Sequence, residues 1–156
     1  MDDLMGTNVY AAKRLLFARL GVLAGDGQPL AGLQVAYSIP RPAALARECV
    51  YGGGVRFTHT DATAERNVLL DEVALVSAYI RIAGDTTATV EDTDARAEVV
   101  FAKLAAQLTA WPDLGQALAF AGITQGQGDY DLAPGETLTI LGVQVRIEST
   151  VTYGGG

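Results

Sequence analysis

The chain has 156 residues, of which 49% are hydrophobic and 19% are charged. That balance is typical of a folded domain, because a disordered chain combines few large aliphatic residues with dense charge. The formal net charge is -7 and the 11 Lys and Arg form no basic run, which argues against sequence-specific binding of nucleic acid. Only a patch assembled by the fold would change that interpretation, and its candidate residues are Lys13, Arg14, Arg19, Arg41 and Arg47.

Several features of the sequence indicate folding in a reducing cytoplasm. Cys49 is the only cysteine, so neither a disulfide nor a cysteine-based zinc site is expected. Asp2 and Asp3 stand where a secretory signal would carry Lys or Arg. No apolar run reaches the roughly 18 to 20 residues that a membrane span requires, so no membrane partner is expected.

The N-terminal part of the chain predicts a helix followed by a strand. Apolar residues recur at helical spacing over residues 8–24, and Thr7 or Asn8 can supply the N-cap. The helix has one apolar side, with its basic residues off that stripe, so it should pack on a sheet. Residues 33–39 alternate with a period of two, which predicts a strand that Pro40 must end.

Three consecutive glycines interrupt the next predicted strand. Residues 48–51 and 55–60 have strand character on either side of glycines 52–54. Glycines in such a position favour a bulge, a tight bend or the close approach of another backbone. The small and polar residues 61–66 are expected to form an exposed hairpin tip between this strand and the next.

A central strand and a second helix are expected after that tip. Residues 73–82 carry apolar side chains on both parities over part of their length, which favours a strand covered on both faces. Asp92, Thr93 and Asp94 then offer capping oxygens and negative charge for a helix N-terminus, and Pro112 should end the helix. Its apolar stripe consists of Ala97, Val100 or Phe101, Leu104, Leu108 and Trp111.

The C-terminal region changes character twice. Residues 114–128 are weakly patterned and rich in Gly and Gln, and residues 129–135 are expected to form a loop. Strong alternation returns in residues 143–153, whereas two apolar residues just before them fall on the opposite parity. That change predicts a bulge or a turn at or beside Gly142, between two strands.

Taken together, these elements predict an α+β fold. We expect a single domain over residues 1–156, built as a mainly antiparallel twisted sheet with two principal helices packed on it. The extreme N-terminus and the C-terminal glycine tail are expected to be flexible.

Candidates for nucleophilic catalysis are few. Acyl transfer needs a nucleophile, a base and an orienting group, and Cys49 with His59 is the only pair that could begin such a set. His59 shares the apolar parity of its strand with Val55 and Phe57, which favours a structural role. Cys49 is interpreted as a small buried hydrophobic residue. No catalytic residue is therefore assigned.

Carboxylates offer a second route to chemistry. Asp129, Asp131 and Glu136 could ligate a hard cation or act as acid and base, but their spacing lacks the regular ligand positions of a calcium loop. A solvated, turn-forming loop is favoured, and helix capping accounts for the acidic residues at 91–94. Glycines 52–54 match no phosphate-binding motif. We expect no metal, no cofactor and no enzymatic activity.

The remaining features of the sequence point to interfaces. The hairpin tip and a Gly/Gln segment at residues 122–128, expected to be mobile, are wide excursions for a domain of this size. Such loops often become ordered against a partner, although simple flexibility accounts for them equally well. The candidate contact residues are Asp61, Ala62, Thr63, Ala64, Glu65, Arg66, Gly122, Gln125 and Gln127.

Five segments of the chain carry a resemblance to a known family. They are LLFARL at residues 15–20, PLAGLQVAY at 29–37, RECVYGGG at 47–54, DEVALVSAYIRI at 71–82, and a helix beginning at Asp94. Their layout, over about residues 8–153, resembles that of the tail-terminator proteins of bacteriophages with long non-contractile tails. This family is also described as minor tail or tail-completion proteins.

The resemblance implies a structural protein of the virion. Such a protein forms a ring, typically a hexamer, that caps the tail tube, ends its polymerisation and joins it to the head connector. Its partners would be further copies of itself, the tail tube protein and the head connector or head-closure protein, with DNA passing through the ring. It would lie at the head-proximal end of the tail, in a virion assembled in the host cytoplasm. The net charge of -7 further suggests a negative lumen that would not trap the passing genome.

Two other functions remain open from the sequence. A head-closure or head-tail adaptor protein would also be acidic and ring-forming, and would differ in its position in the particle. A small metal-dependent hydrolase would use the carboxylates of Asp129, Asp131 and Glu136, and titration with calcium, magnesium and manganese would detect it.

Overall fold

In a computed structural model of the protein, the described residues are 7–61, 68–110, 113–115, 118–129 and 137–153. They form an α+β fold in which a six-stranded mixed sheet carries two helices. The helices are α1 (Val9–Leu23) and α2 (Val90–Ala110), and a short 3-10 turn lies at Pro42–Ala44. The strands are β1 (Gln34–Ala36), β2 (Glu48–Asp61), β3 (Val68–Ala83), β4 (Asp113–Gly115), β5 (Leu118–Asp129) and β6 (Leu138–Tyr153).

The strands are arranged in the order β1-β2-β3-β6-β5-β4. β1 pairs with β2 in parallel, and the other four pairings between described neighbours are antiparallel. The two longest strands, β3 and β6, are paired from Val68 opposite Tyr153 to Ala83 opposite Leu138. The mainly antiparallel sheet expected from the sequence is therefore confirmed.

Both helices pack on one face of the sheet, which we call the helix face. In β3 the buried side chains stand at the even positions, and they point to the same side as the odd positions of β6 from Val143 onward. The apolar stripes of α1 and α2 cover these side chains. The core includes Leu16, Leu20, Val76, Ile80, Leu104, Leu108, Val145 and Ile147.

The opposite face of the sheet, which we call the open face, carries neither of the two described helices. Val73, Leu75 and Tyr79 lie there on the odd positions of β3 and are only half-buried. The expectation of a strand covered on both faces is therefore wrong. Apolar groups on this face pack against their neighbours within the sheet, as Tyr79 does by stacking on Tyr51 with 5.3 Å between ring centroids.

The first helix agrees with its prediction. α1 begins one residue after and ends one residue before the predicted range of 8–24. The backbone N–H of Val9 donates a hydrogen bond to Thr7 Oγ1 over 3.1 Å. Asn8 occupies the N-cap position without a capping bond from its side chain. Thr7 therefore supplies the oxygen that satisfies one of the free amides of the first turn.

The second helix begins about one turn earlier than the predicted start at Asp94. Its cap is Thr89: the Asp92 N–H donates to Thr89 Oγ1 over 3.2 Å, and the Thr89 N–H donates to Asp92 Oδ2 over 2.9 Å. This reciprocal capping box uses Asp92 as the third residue of the helix instead of the cap itself. Asp94 accepts a hydrogen bond from Thr139 Oγ1 on β6 over 2.6 Å. The predicted stripe member Trp111 lies outside the described residues.

The strand β1 is shorter than the predicted 33–39. Beyond Ala36 the chain leaves the sheet, and the Tyr37 ring packs on α1 instead. The Lys13 ammonium lies 4.0 Å from the centroid of that ring, and Phe17 meets its edge at 6.2 Å between centroids. This contact with the helix competes with continued strand pairing and ends β1 before Pro40.

Glycines 52–54 create a bulge, as predicted. β2 is one continuous strand whose pairing with β3 shifts between Gly52 and Val55. The shift moves the helix face of β2 from even to odd positions, so Val55 and Phe57 lie on the same side as the helices. Close approach of another backbone, a further one of the three expectations for these glycines, is also confirmed, because a methyl group on Gly52 would overlap the carbonyl oxygen of Tyr37.

Two predictions for the C-terminal region are wrong. Residues 122–128, expected to be mobile, form most of β5 and pair with β6. Register shifts between Phe120 and Gly122 and between Ile123 and Gln125 break the alternation, which hides the strand from a period-two pattern.

The predicted bulge or turn at Gly142 is absent from β6. The register between β6 and β3 is uniform across this position, where Gly142 lies opposite Tyr79. A Cβ atom on Gly142 would stand 3.1 Å from Cε1 of the Tyr79 ring. The glycine therefore provides space for an aromatic ring on the open face and does not interrupt the strand.

Candidate interaction surfaces

The structure does not bring Cys49 and His59 together. Both lie on β2, but the bulge between them places Cys49 beside Arg81 on the open face and His59 opposite Glu72 on the helix face. Cys49 is a free, fully buried thiol, in agreement with its interpretation as a small hydrophobic residue. Burial raises the pKa of the Cys49 thiol, and the charge of Arg81 opposes that rise only in part.

His59 takes part in a buried polar cluster whose centre is Glu72. His59 Nε2 lies 2.7 Å from Glu72 Oε2, and the side chain of Glu72 is fully buried. The Asn8 N–H donates to Glu72 Oε1 over 2.7 Å, and the Thr7 hydroxyl donates to Oε2. The carboxylate thus fixes the N-terminus of α1 to β3, which gives His59 the structural role expected of it.

Lys13 does not contribute to a basic patch. It is 8% exposed, its Nζ donates to the Gly53 carbonyl over 3.0 Å, and it lies over the Tyr37 ring. Burial lowers the pKa of the Lys13 ammonium. The sequence had placed this residue off the buried stripe of α1, but its long aliphatic stem lets it span the gap above the glycine bulge.

The carboxylates considered for metal binding form no described site. Asp131 and Glu136 lie outside the described residues, and so does the side chain of Asp129, whose backbone belongs to β5. The capping role expected of the acidic residues at 91–94 is confirmed for Asp92, in the first turn of α2. In the described part of the chain, no group of three or more His, Cys, Asp or Glu side chains is placed to hold a metal ion. Within the same residues, neither helix combines the length and apolar character that a membrane crossing requires.

The candidate contact residues divide into two groups. Residues 62–66 lie outside the described part of the chain, and for Asp61 only the backbone, at the end of β2, is described. Gly122, Gln125 and Gln127 lie on β5, where Gly122 adopts a positive φ of 130° beside a bulge. These three residues therefore belong to a strand near one side of the sheet.

Both sides of the sheet end in strand backbone that no described strand pairs. β1 covers β2 only at residues 49–51, which leaves residues 54–61 as a free stretch that we call the β2 edge. β4 covers β5 only at Leu118 and Ala119, which leaves residues 120–129 as a second free stretch, the β5 edge. Free strand edges of this length are sites where another chain can pair.

Each edge also carries an apolar feature on the helix face. At the β2 edge the Phe57 side chain is 48% exposed. At the β5 edge a cavity of about 350 Å³, which we call the β5 cavity, opens between α2 and the sheet. It is lined by Phe101, Ile123, Thr124, Gly126, Leu141 and Val143.

Comparison with solved structures shows a likeness of fold. No protein-family model and no curated protein matches the sequence. Among solved structures, the chain is similar to a chain from the virion of a native gene transfer agent particle, with a TM-score of 0.56 and 17% sequence identity. The likeness covers 92% of this chain and 100% of that chain. At this identity it shows a shared fold.

Sequence reasoning missed Glu72 and the two edge features. A signal for Glu72 was present, since a carboxylate at an even position of β3 falls among buried apolar residues. The β5 cavity gave no such signal, because its walls come from α2, β5 and β6 and depend on a strand that the pattern did not show.

The burial of Cys49 leads to a first prediction. In the folded protein its thiol should react with Ellman's reagent at a rate at least roughly tenfold lower than in guanidinium chloride, because the thiol is buried and its pKa is raised. The absorbance of the released product measures this rate. Fast, stoichiometric labelling of the folded protein would contradict the buried position.

Proposed function

We propose that the protein is a structural component of a phage-like particle, and specifically a ring-forming tail terminator. In this role it caps the tail tube, ends tube polymerisation and joins the tube to the head connector. The proposal requires surfaces for docking and no reaction centre.

The likeness to a virion chain carries this proposal. It extends over the whole of that chain and nearly the whole of this one, so the two share a complete fold and not a single motif. The layout of helices and strands that resembles tail terminators is the second support. The two free sheet edges are the third, because a head-to-tail ring needs two different surfaces on each copy.

The proposal predicts that purified protein forms a closed oligomer, and that it shortens tail tubes. Size-exclusion chromatography with light scattering measures the first property, in the presence and absence of tube protein. Electron microscopy of tubes polymerised with increasing amounts of the protein measures the second. Tube length should fall as the protein is added, and the added density should lie at one end.

The same images separate the terminator from a head-tail adaptor. A terminator binds the end of an isolated tube, whereas an adaptor binds the head connector and leaves tube length unchanged. A strict monomer with and without tubes, together with unchanged tube length, would rule out the proposed role.

A further inference from the structure

The two free edges run in compatible directions. β2 is antiparallel to β3, β3 to β6, and β6 to β5, so β2 and β5 run in opposite directions within one copy. A second copy in the same orientation, placed beside the first, therefore brings its β5 edge antiparallel to the β2 edge. All helices then remain on the same side of the joined sheet, as a ring of identical copies requires.

The positions of the edges along the sheet also fit each other after a displacement of four residues. Phe57 pairs with Ala74 of β3. Gly126 pairs with Val143 of β6, and Val143 pairs with Ala78 of β3. Along β3, the levels of Phe57 and Gly126 therefore differ by four residues. An even displacement keeps each side chain on its own face. Stagger of this kind is what tilted strands need when a sheet closes on itself.

Among the described residues, β1 and β4 are the strands that could block this pairing, and the same displacement moves both of them aside. Within one copy, β1 pairs with β2 at the level of residues 79–81 of β3, and β5 ends at the level of Arg81. After the displacement of four residues, the neighbour's β5 ends before it reaches β1. β4 pairs with β5 level with Val73, and the β2 edge ends level with Leu70. β4 of the neighbour therefore moves past the end of β2.

The apolar features of the two edges meet in this arrangement. Phe57 lies on the helix face of the β2 edge, and Gly126 forms part of the β5 cavity on the helix face of the β5 edge. A cavity of about 150 Å³ is large enough to hold benzene, so the β5 cavity, at about 350 Å³, has room for a phenyl ring. Gly126 has no side chain to obstruct the ring.

We propose that the ring closes by pairing of the β2 edge of each copy with the β5 edge of the next, with Phe57 inserted in the neighbour's β5 cavity. The occupant of each edge is thus a second copy of this chain. The inference rests on the proposed ring and specifies how the ring is held together. It satisfies the free backbone groups of both edges and covers the exposed phenylalanine in one contact.

A disulfide test addresses the pairing directly. Thr58 and Gln125 become neighbours across the proposed junction, since Thr58 lies opposite Val73 and Gln125 lies level with Ser77, again four residues apart. Within one copy they are separated by three strand spacings across the sheet and by four residues along it, so their distance is greater than roughly 14 Å, whereas a disulfide bridges at most roughly 7 Å. Mild oxidation of the T58C/Q125C double variant should therefore give a ladder of covalent oligomers on a non-reducing gel.

Each single variant is the control for that experiment. T58C and Q125C alone should give no ladder, because Cys49 is buried and unavailable. Oligomers in light scattering without a ladder from the double variant would overturn the edge pairing and leave the proposed ring function standing. A protein that is monomeric under all conditions, tail tubes included, would overturn both.

A second variant tests the contribution of Phe57. Phe57→Ala should raise the concentration at which half the protein is assembled by roughly tenfold or more, because a buried aromatic anchor is lost. The matched control is Val22→Ala on α1, where the side chain is 59% exposed and belongs to neither edge strand. Sedimentation velocity measures assembly, and thermal unfolding of the dilute monomer confirms that both variants fold. Equal assembly of the two variants would contradict the insertion of Phe57.

Discussion

Glu72→Ala is expected to lower the free energy of unfolding by about 2 to 4 kcal/mol, because it removes the acceptor at the centre of a buried cluster. The Asn8 N–H, the Thr7 hydroxyl and His59 would all lose their partner, and the carboxylate side chain would leave a cavity. For a chain of this length the corresponding fall in the melting temperature is roughly 5 to 15 °C. Thermal and denaturant unfolding followed by circular dichroism measure the loss.

The matched control is Glu148→Ala, which removes an exposed carboxylate instead of a buried one. Glu148 is 49% exposed in its side chain and pairs with Arg146 at the surface, so its loss should cost less than about 1 kcal/mol. Hydrogen exchange gives a second readout, since Glu72→Ala should reduce protection most in the first turn of α1. Equal effects of the two substitutions would show that the buried cluster does not hold the helix.

Elements with one dominant pattern were predictable from the sequence. The stripe of α2 and the strand β3 are long enough that their periodicity outweighs local exceptions. The bulge and the close backbone contact in β2 could be predicted from its three consecutive glycines, because glycine is the residue type that permits both. The start of α2 was placed one turn late, because Asp92 and Thr89 share the cap and the sequence shows only that capping residues are present.

Elements that depend on partners elsewhere in the chain were not predictable. β5 contains Gly122, Gly126 and Gly128 and two bulges, so its order comes from pairing with the regular strand β6. The sequence suggested an interruption at Gly142. The glycine instead provides space for the ring of Tyr79 on the neighbouring strand, and Tyr79 lies more than 60 positions away in sequence.

The candidate interaction surfaces follow the same division. Gln125 and Gln127 were chosen as contact residues in a mobile loop, and they lie instead on a strand with a free edge. The suggestion that this part of the chain meets a partner stays a prediction, with an edge strand in place of a loop. Phe57 was assigned to the apolar parity of β2, but only the strand order shows that its position lies at the side of the sheet.

Gly52→Ala is expected to destabilise the protein by about 3 kcal/mol, whereas Gly54→Ala, two residues away, should be neutral or stabilising by about 0.4 to 1 kcal/mol. A Cβ on Gly52 would overlap the Tyr37 carbonyl and stand 2.7 Å from Lys13 Cε, so the junction of β1, β2 and α1 must separate. A Cβ on Gly54 would have no heavy atom within 4 Å, and alanine restricts the unfolded chain more than glycine does. Urea unfolding of the two variants measures both changes in the free energy of unfolding. A loss of stability at Gly54 as large as that at Gly52 would mean that the bulge needs glycine for its backbone conformation, and not for the close approach of Tyr37.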